Sequence, residues 1–300
     1  MISARFLYLF ALMCFVTPAV SSARDIPPFV STDWLEQNLN VPGLLIMDLR
    51  NSADYKNNHI PGSVNSNANS WAVNKNGLLR ELPSDRDLME LLSSLGIKED
   101  SKVVVVGRGA SDLDRADAIR VAWTILISGV RNAAVLDGGF SKWLKDKKAA
   151  TTEQSIPSPA EYKGKVNGSA EVTKKYVLSK IGKSIIVDAR TPEVYFGIET
   201  ESWAQKPGHI KSAVNLPAPW VFTKEGILKG RSELEDMANA VMGSNKSKEY
   251  VIYCGVGPYA TVWSYIMTEL LGYKDVKVYD GSMQEWIMDP AGPISLYGWR

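Results

Sequence analysis

The chain states nearly the same pattern twice, and this repetition limits its fold more than any other feature, because two copies of one supersecondary pattern call for two copies of one unit. Val30-Ser31-Thr32-Asp33-Trp34-Leu35 and Val172-Thr173-Lys174-Lys175-Tyr176-Val177 each open a helical segment behind capping hydroxyls. Each leads into an apolar run that ends in an acid, Leu44-Leu45-Ile46-Met47-Asp48-Leu49-Arg50 and Ser184-Ile185-Ile186-Val187-Asp188-Ala189-Arg190. His59-Ile60-Pro61-Gly62-Ser63-Val64-Asn65 is matched by His209-Ile210-Lys211-Ser212-Ala213-Val214-Asn215, so both histidines of the chain hold the same place in their copies. A β-branched run, Val103-Val104-Val105-Val106-Gly107, is matched by Tyr250-Val251-Ile252-Tyr253-Cys254. Both copies close on Asp-Gly-x-x-x-x-Trp, at Asp137, Gly138 and Trp143 and at Asp280, Gly281 and Trp286.

Short apolar runs alternating with amphipathic segments (84–95, 116–127, 233–242 and 260–271) predict βα units and a mainly parallel sheet in each copy, hence an α/β fold built twice. The expected divisions are a first domain over 24–148, a polar, proline-punctuated linker over 149–168 and a second domain over 169–300. The Asp-to-His separation is 11 residues in the first copy (48 to 59) and 21 in the second (188 to 209), which marks Tyr195 to Pro207 as a loop insert near the site of the second copy.

Residues 1–23 have the form of a secretory signal: Arg5, an apolar run from Phe6 to Val16, and small residues ending at Ala23. The run is too short to span a bilayer, and Pro18 and two serines follow, so no stable membrane anchor is expected after cleavage. The expected location is outside the cytoplasm, periplasmic or secreted. Lys and Arg number 34 against 33 Asp and Glu, and cleavage removes only Arg5, so no charge imbalance favours nucleic acid or an anionic membrane.

Of two cysteines, Cys14 leaves with the signal, and Cys254 would remain as a lone thiol in an oxidising compartment. Two cysteines cannot furnish a disulfide framework or, without further ligands, a zinc site. Cys254 follows a strand, and the loop Cys254-Gly255-Val256-Gly257-Pro258-Tyr259-Ala260 leads to a helix near Ala260 whose positive end would face the sulfur and lower its pKa modestly. Gly255 and Gly257 let the backbone fold around it. The same slot in the first copy is Gly107, so that copy has no nucleophile. A buried, inert cysteine is the other reading of the same residue. The histidines and the aspartates Asp48, Asp137, Asp188 and Asp280 recur in both copies and read as structural, and Trp143 and Trp286 as core.

The tandem pattern resembles the two-domain rhodanese family of sulfurtransferases over roughly residues 30–290. The resemblance implies a structural first domain and a second domain in which Cys254 carries sulfur as a persulfide, cradled by Gly255, Val256, Gly257, Pro258 and Tyr259. It implies a small sulfur donor, thiosulfate or 3-mercaptopyruvate, a thiol or cyanide-like acceptor, and no metal or organic cofactor. The loop looks more like the Cys-Gly-Ser-Gly-Val-Thr of mercaptopyruvate-using members than the basic loop of thiosulfate-using ones, and departs from it at Val256, Pro258 and Tyr259. The arginines that grip the mercaptopyruvate carboxylate have no counterpart between Arg190 and Arg231, where Lys206 is a poor substitute. The fold is also similar to that of Cys-x5-Arg phosphatases, but Ala260 stands at the arginine position and no basic residue follows before Lys274, which removes the phosphoryl clamp. A non-catalytic reading remains: a secreted binding protein using Tyr195, Phe196, Trp203 and Trp220 as its recognition surface.

Overall fold

The computed structural model describes residues 24–290 and 292–298; the segment read as a signal lies outside them. The first copy runs β1 (Phe29–Val30), α1 (Thr32–Asn38), β2 (Leu44–Asp48), α2 (Ser52–Asn57), β3 (Val64–Asn65), a hairpin β4 (Val73–Lys75) and β5 (Leu78–Glu81), α3 (Asp85–Ser94), β6 (Lys102–Val106), α4 (Asp112–Ile127), β7 (Asn132–Leu136) and α5 (Gly139–Lys145). The second runs α6 (Lys174–Lys180), β8 (Ile185–Asp188), α7 (Pro192–Phe196), β9 (His209–Ile210), β10 (Val214–Asn215), α8 (Arg231–Met242), β11 (Glu249–Tyr253), α9 (Pro258–Tyr265), β12 (Asp275–Val278), α10 (Ser282–Trp286) and β13 (Ile294–Ser295).

Each copy forms a parallel sheet, ordered β1-β7-β6-β2-β3 and β10-β8-β11-β12. Glu171 bridges Val278 in parallel where β1 lies in the first sheet. The central strands β6 and β11 are buried on both faces, which is why their sequences are runs rather than alternations. Helix starts follow the expected chemistry: Ser31, Asn51, Ser84 and Thr173 each accept a backbone N–H from the first turn, and Ser111 with Asp114 forms a reciprocal capping box.

Two of the four helices expected to be amphipathic are not. α4 is buried along most of its length and α9 almost completely, because they pack against each other between the two sheets. A helix with sheet on one side and another helix on the other has no face left for solvent. The result is one central core shared by both copies, with Trp123 and Trp263 inside it, and a separate outer core in each. Trp143 and Trp286 are buried in the two outer cores.

The segment 149–168 lies along the first domain. Thr151 exchanges backbone hydrogen bonds with His59, Ala160 N–H donates to Ser93 C=O at 2.9 Å, and the Tyr162 hydroxyl donates to Ser128 C=O.

Candidate functional site

The site forms where β11 ends. Cys254 is the first residue beyond the strand, Gly255 to Gly257 turn the chain, and Pro258 opens α9 at a helix position that has no N–H to satisfy. The turn holds the sulfur in place. Gly257 N–H donates to Cys254 Sγ at 3.1 Å, Cys254 N–H donates to Ser282 Oγ at 3.1 Å, and Cys254 C=O accepts Met283 N–H at 3.0 Å. Gly257 adopts φ 104°, open to glycine and costly for any residue with a β-carbon. Gly255, Gly257 and Pro258 are buried, while Val256 and Tyr259 are half-buried at the rim.

Ser282 was not singled out from the sequence. It occupies the place of Gly139 in the first copy, and its hydroxyl donates to Tyr279 C=O at 2.9 Å while accepting the Cys254 N–H. Its own φ is 51°, a conformation that a serine rarely takes.

The thiol is only 2% exposed. Burial pushes its pKa up, the amide of Ala260 pulls it down, the Glu201 carboxylate pushes it up, and the amides of Val256 and Gly257 pull it down. The net direction is upward, so the modest depression expected from the helix end is corrected: three amides and a helix terminus do not offset desolvation with a carboxylate nearby. Glu201 reaches the loop from the insert. A β-carbon on Gly255 would stand 2.5 Å from Glu201 Oε1, so the insert covers the loop with a carboxylate.

Tyr195 does not belong to a loop insert. It lies in α7, the counterpart of α2, fully buried and stacked on His209 at 3.7 Å between ring centroids, as Tyr55 stacks on His59 at 3.8 Å. The added residues begin after the helix, and the aromatic surface expected there loses its first member. Of the others, Phe196 and Trp203 are half-buried and Trp220 is 53% exposed. Both histidines are buried structural groups: Nδ1 of each lies within hydrogen-bonding distance of the Tyr55 or Tyr195 C=O, at 2.6 and 2.8 Å, and burial lowers the pKa of His209. Asp48 and Asp188 each hold the arginine two residues on, Arg50 and Arg190, through both carboxylate oxygens.

A basic group does come close to the cysteine loop, and it comes from the other domain. Arg120 of α4 is buried and forms two hydrogen bonds to Asp280, Nη1 to Oδ1 at 2.6 Å and Nη2 to Oδ2 at 3.0 Å. The sequence carries a signal for it, a lone cation inside the apolar run Ala118-Ile119-Arg120-Val121-Ala122. Among the described residues no group of three or more His, Cys, Asp or Glu could hold a metal ion, and no helix is long and apolar enough to cross a membrane.

The model of the Rhodanese-like domain matches twice, over residues 31–146 and 173–289. The chain belongs to the rhodanese family. A thiosulfate sulfurtransferase of Bos taurus is 32% identical over 273 residues, covering 86% of this chain and 91% of its own. The sulfur carrier protein TtuD of Thermus thermophilus is 28% identical over 272 residues, covering 86% and 92%. Among solved structures, YnjE superposes with a TM-score of 0.77 at 22% identity, over 90% of this chain and 68% of that one. Wild-type EanB does so with a TM-score of 0.76 at 20% identity, over 90% and 69%. The chain is a tandem rhodanese, an enzyme of the sulfurtransferase class, with the cysteine in its second domain.

Proposed function

We propose that this rhodanese carries sulfane sulfur on Cys254 as a persulfide, within the turn Gly255, Val256, Gly257, Pro258 and Tyr259, and that it works outside the cytoplasm after loss of residues 1–23. The observation that carries the reading is the Gly257 N–H aimed at Cys254 Sγ at the start of α9, on the rhodanese scaffold. Burial and Glu201 leave the Cys254 pKa raised on balance, while the amides of Ala260, Val256 and Gly257 at the helix N-terminus pull it down, and these amides are the groups placed to stabilise the sulfur anion formed in each transfer step.

With thiosulfate as donor, the Cys254 thiolate attacks the sulfane sulfur, an S–S bond forms on Cys254, and the donor S–S bond breaks to release sulfite. With 3-mercaptopyruvate, the thiolate attacks the donor sulfur, the carbon–sulfur bond breaks, and the carbon takes up a proton to give pyruvate. An acceptor thiolate or cyanide then attacks the outer sulfur, and Cys254 leaves as the thiolate. The steps transfer one sulfur atom at a time and use no metal or organic cofactor.

A non-catalytic binding role is the weaker reading, because Tyr195 is buried and Trp203 half-buried. The deciding experiment is the intact mass of the protein before and after thiosulfate or 3-mercaptopyruvate, followed by cyanide, with Cys254→Ser as control. One added sulfur atom, removed by cyanide and never taken up by the variant, is the expected result and names the donor. No adduct with either donor would overturn the assignment of those donors, and function that persists in full in Cys254→Ser, sulfur transfer to cyanide included, would overturn the transfer reading. Export is tested by fractionating cells that make the full chain: a mature form beginning at Arg24 outside the cytoplasm is expected, and an uncleaved cytoplasmic form would refute it.

A further inference from the structure

Arg120 ties the domain without a cysteine to the cysteine loop of the other. A buried guanidinium is costly unless paired, and the two terminal nitrogens of this one are held by Asp280 and by the C=O of Arg80, 2.7 Å from Nη2, while its buried Nε has no hydrogen-bond partner. Asp280 Oδ2 also accepts the Leu82 N–H at 2.8 Å, so the carboxylate is held wholly by the first domain.

The ion pair presses on the loop at Gly257. A β-carbon there would collide with Arg120 Nη1 and stand 2.6 Å from Asp280 Oδ1. Gly257 is the residue whose N–H meets the Cys254 sulfur, and Ser282, two residues after Asp280, accepts the Cys254 N–H. One interdomain pair therefore stands behind two of the three hydrogen bonds that hold the cysteine, those from Gly257 and to Ser282.

The arrangement is not repeated in the other copy. Asp137, the counterpart of Asp280, likewise accepts an N–H from across the interface, that of Leu228 at 2.8 Å, but α9, the counterpart of α4, carries no charged residue. Among the described residues, α4 brings a cation, Arg120, to the cysteine loop of the opposite domain, and α9 has none to bring to the loop at Gly107. We infer that Arg120 is a positioning residue for sulfur transfer, holding Asp280 against Gly257 so that the first domain sets the geometry and charge around Cys254. The inference rests on the reading of Cys254 as the sulfur carrier.

The charged and titratable groups around the thiol come from several elements: Arg120 from α4, Glu201 from the insert with Arg190 3.7 Å from its carboxylate, Tyr259 at the start of α9, and Asp280 before α10 and Glu81 of β5, which act on Arg120. The test is the rate of Cys254 alkylation by iodoacetamide as a function of pH in the full chain, read from the mass of the Cys254 peptide. It is run on Arg120→Met, Asp280→Asn and the double variant.

Arg120→Met strands the Asp280 carboxylate beside the loop, so alkylation near neutral pH is expected to slow roughly tenfold and its midpoint to move to higher pH. Asp280→Asn strands the cation instead, so alkylation is expected to speed up roughly threefold and its midpoint to move down. The double variant should lie within about threefold of the native rate. A purely structural role would move both single variants in the same direction, and that result overturns the inference, as does an unchanged profile in Asp280→Asn. Should Arg120→Met fail to fold, Asp280→Asn and the double variant decide alone. A native protein that takes up no sulfur while the alkylation rates shift as stated would overturn the carrier reading and leave the hold of Arg120 on the thiol intact.

Discussion

Ser282 and Gly139 occupy the same position in the two repeats with nearly the same backbone, φ 51° and 61°, yet only Ser282 faces a cysteine. A β-carbon at Gly139 would stand 2.6 Å from Gly107 C=O. In the second repeat the serine is kept in a strained conformation, and its oxygen takes the Cys254 N–H.

Ser282→Ala keeps the strain and orphans a buried N–H, which costs about 1–3 kcal/mol of stability, and sulfur transfer should fall as the cysteine loses its register. Ser282→Gly also loses the hydrogen bond but relieves the backbone, so it should be the more stable of the two. Denaturant midpoints of both variants check the order, and an alanine variant as stable as the native protein would argue against it.

The two glycines of the loop should behave differently. Gly257→Ala places a β-carbon at positive φ against the Arg120–Asp280 pair, whose side-chain ends are buried and locked on each other, and is expected to cost about 1–3 kcal/mol and most of the transfer activity. Gly255→Ala meets only the end of the Glu201 side chain, which can swing aside, so its melting temperature should stay near native while the insert opens. Thermal melts of the pair distinguish the two cases, and equal losses would contradict this account.

Glu201 holds the thiol up. Glu201→Gln removes a carboxylate beside Cys254, so alkylation at mildly alkaline pH is expected to quicken roughly three- to tenfold. An iodoacetamide rate equal to native would show that the carboxylate does not act on the sulfur.

Burial and the neighbouring Asp280 carboxylate push Glu81 up to about 7. Between about pH 4.5 and 7 the folded protein therefore holds a proton that the unfolded chain has released, and stability falls as pH rises through that window, by up to about 3 kcal/mol. Glu81→Gln should flatten this slope. Unfolding in urea at several pH values measures it, and a slope unaffected by the substitution would rule the carboxyl out as its source.

The sequence alone determined what is local or repeated. Alternation of apolar runs and helical segments specifies a parallel sheet without reference to the partner copy, and the matched Asp-x-Arg and histidine positions report contacts that close within one repeat, such as Arg50 on Asp48 and His209 on Tyr195. Cys254 stood out because it breaks that symmetry, and its place at the end of β11 followed from chain order. Only the tertiary structure decided what depends on the two copies meeting. α4 and α9 lose their solvent face to each other; Arg120, Asp280 and Leu82 converge from positions up to 198 residues apart; Glu201 folds over Gly255; and the thiol is buried deeply enough for desolvation to outweigh the helix end. The physical reason is that electrostatics and burial act through space, so a charge distant in sequence can dominate a site whose own loop contains none.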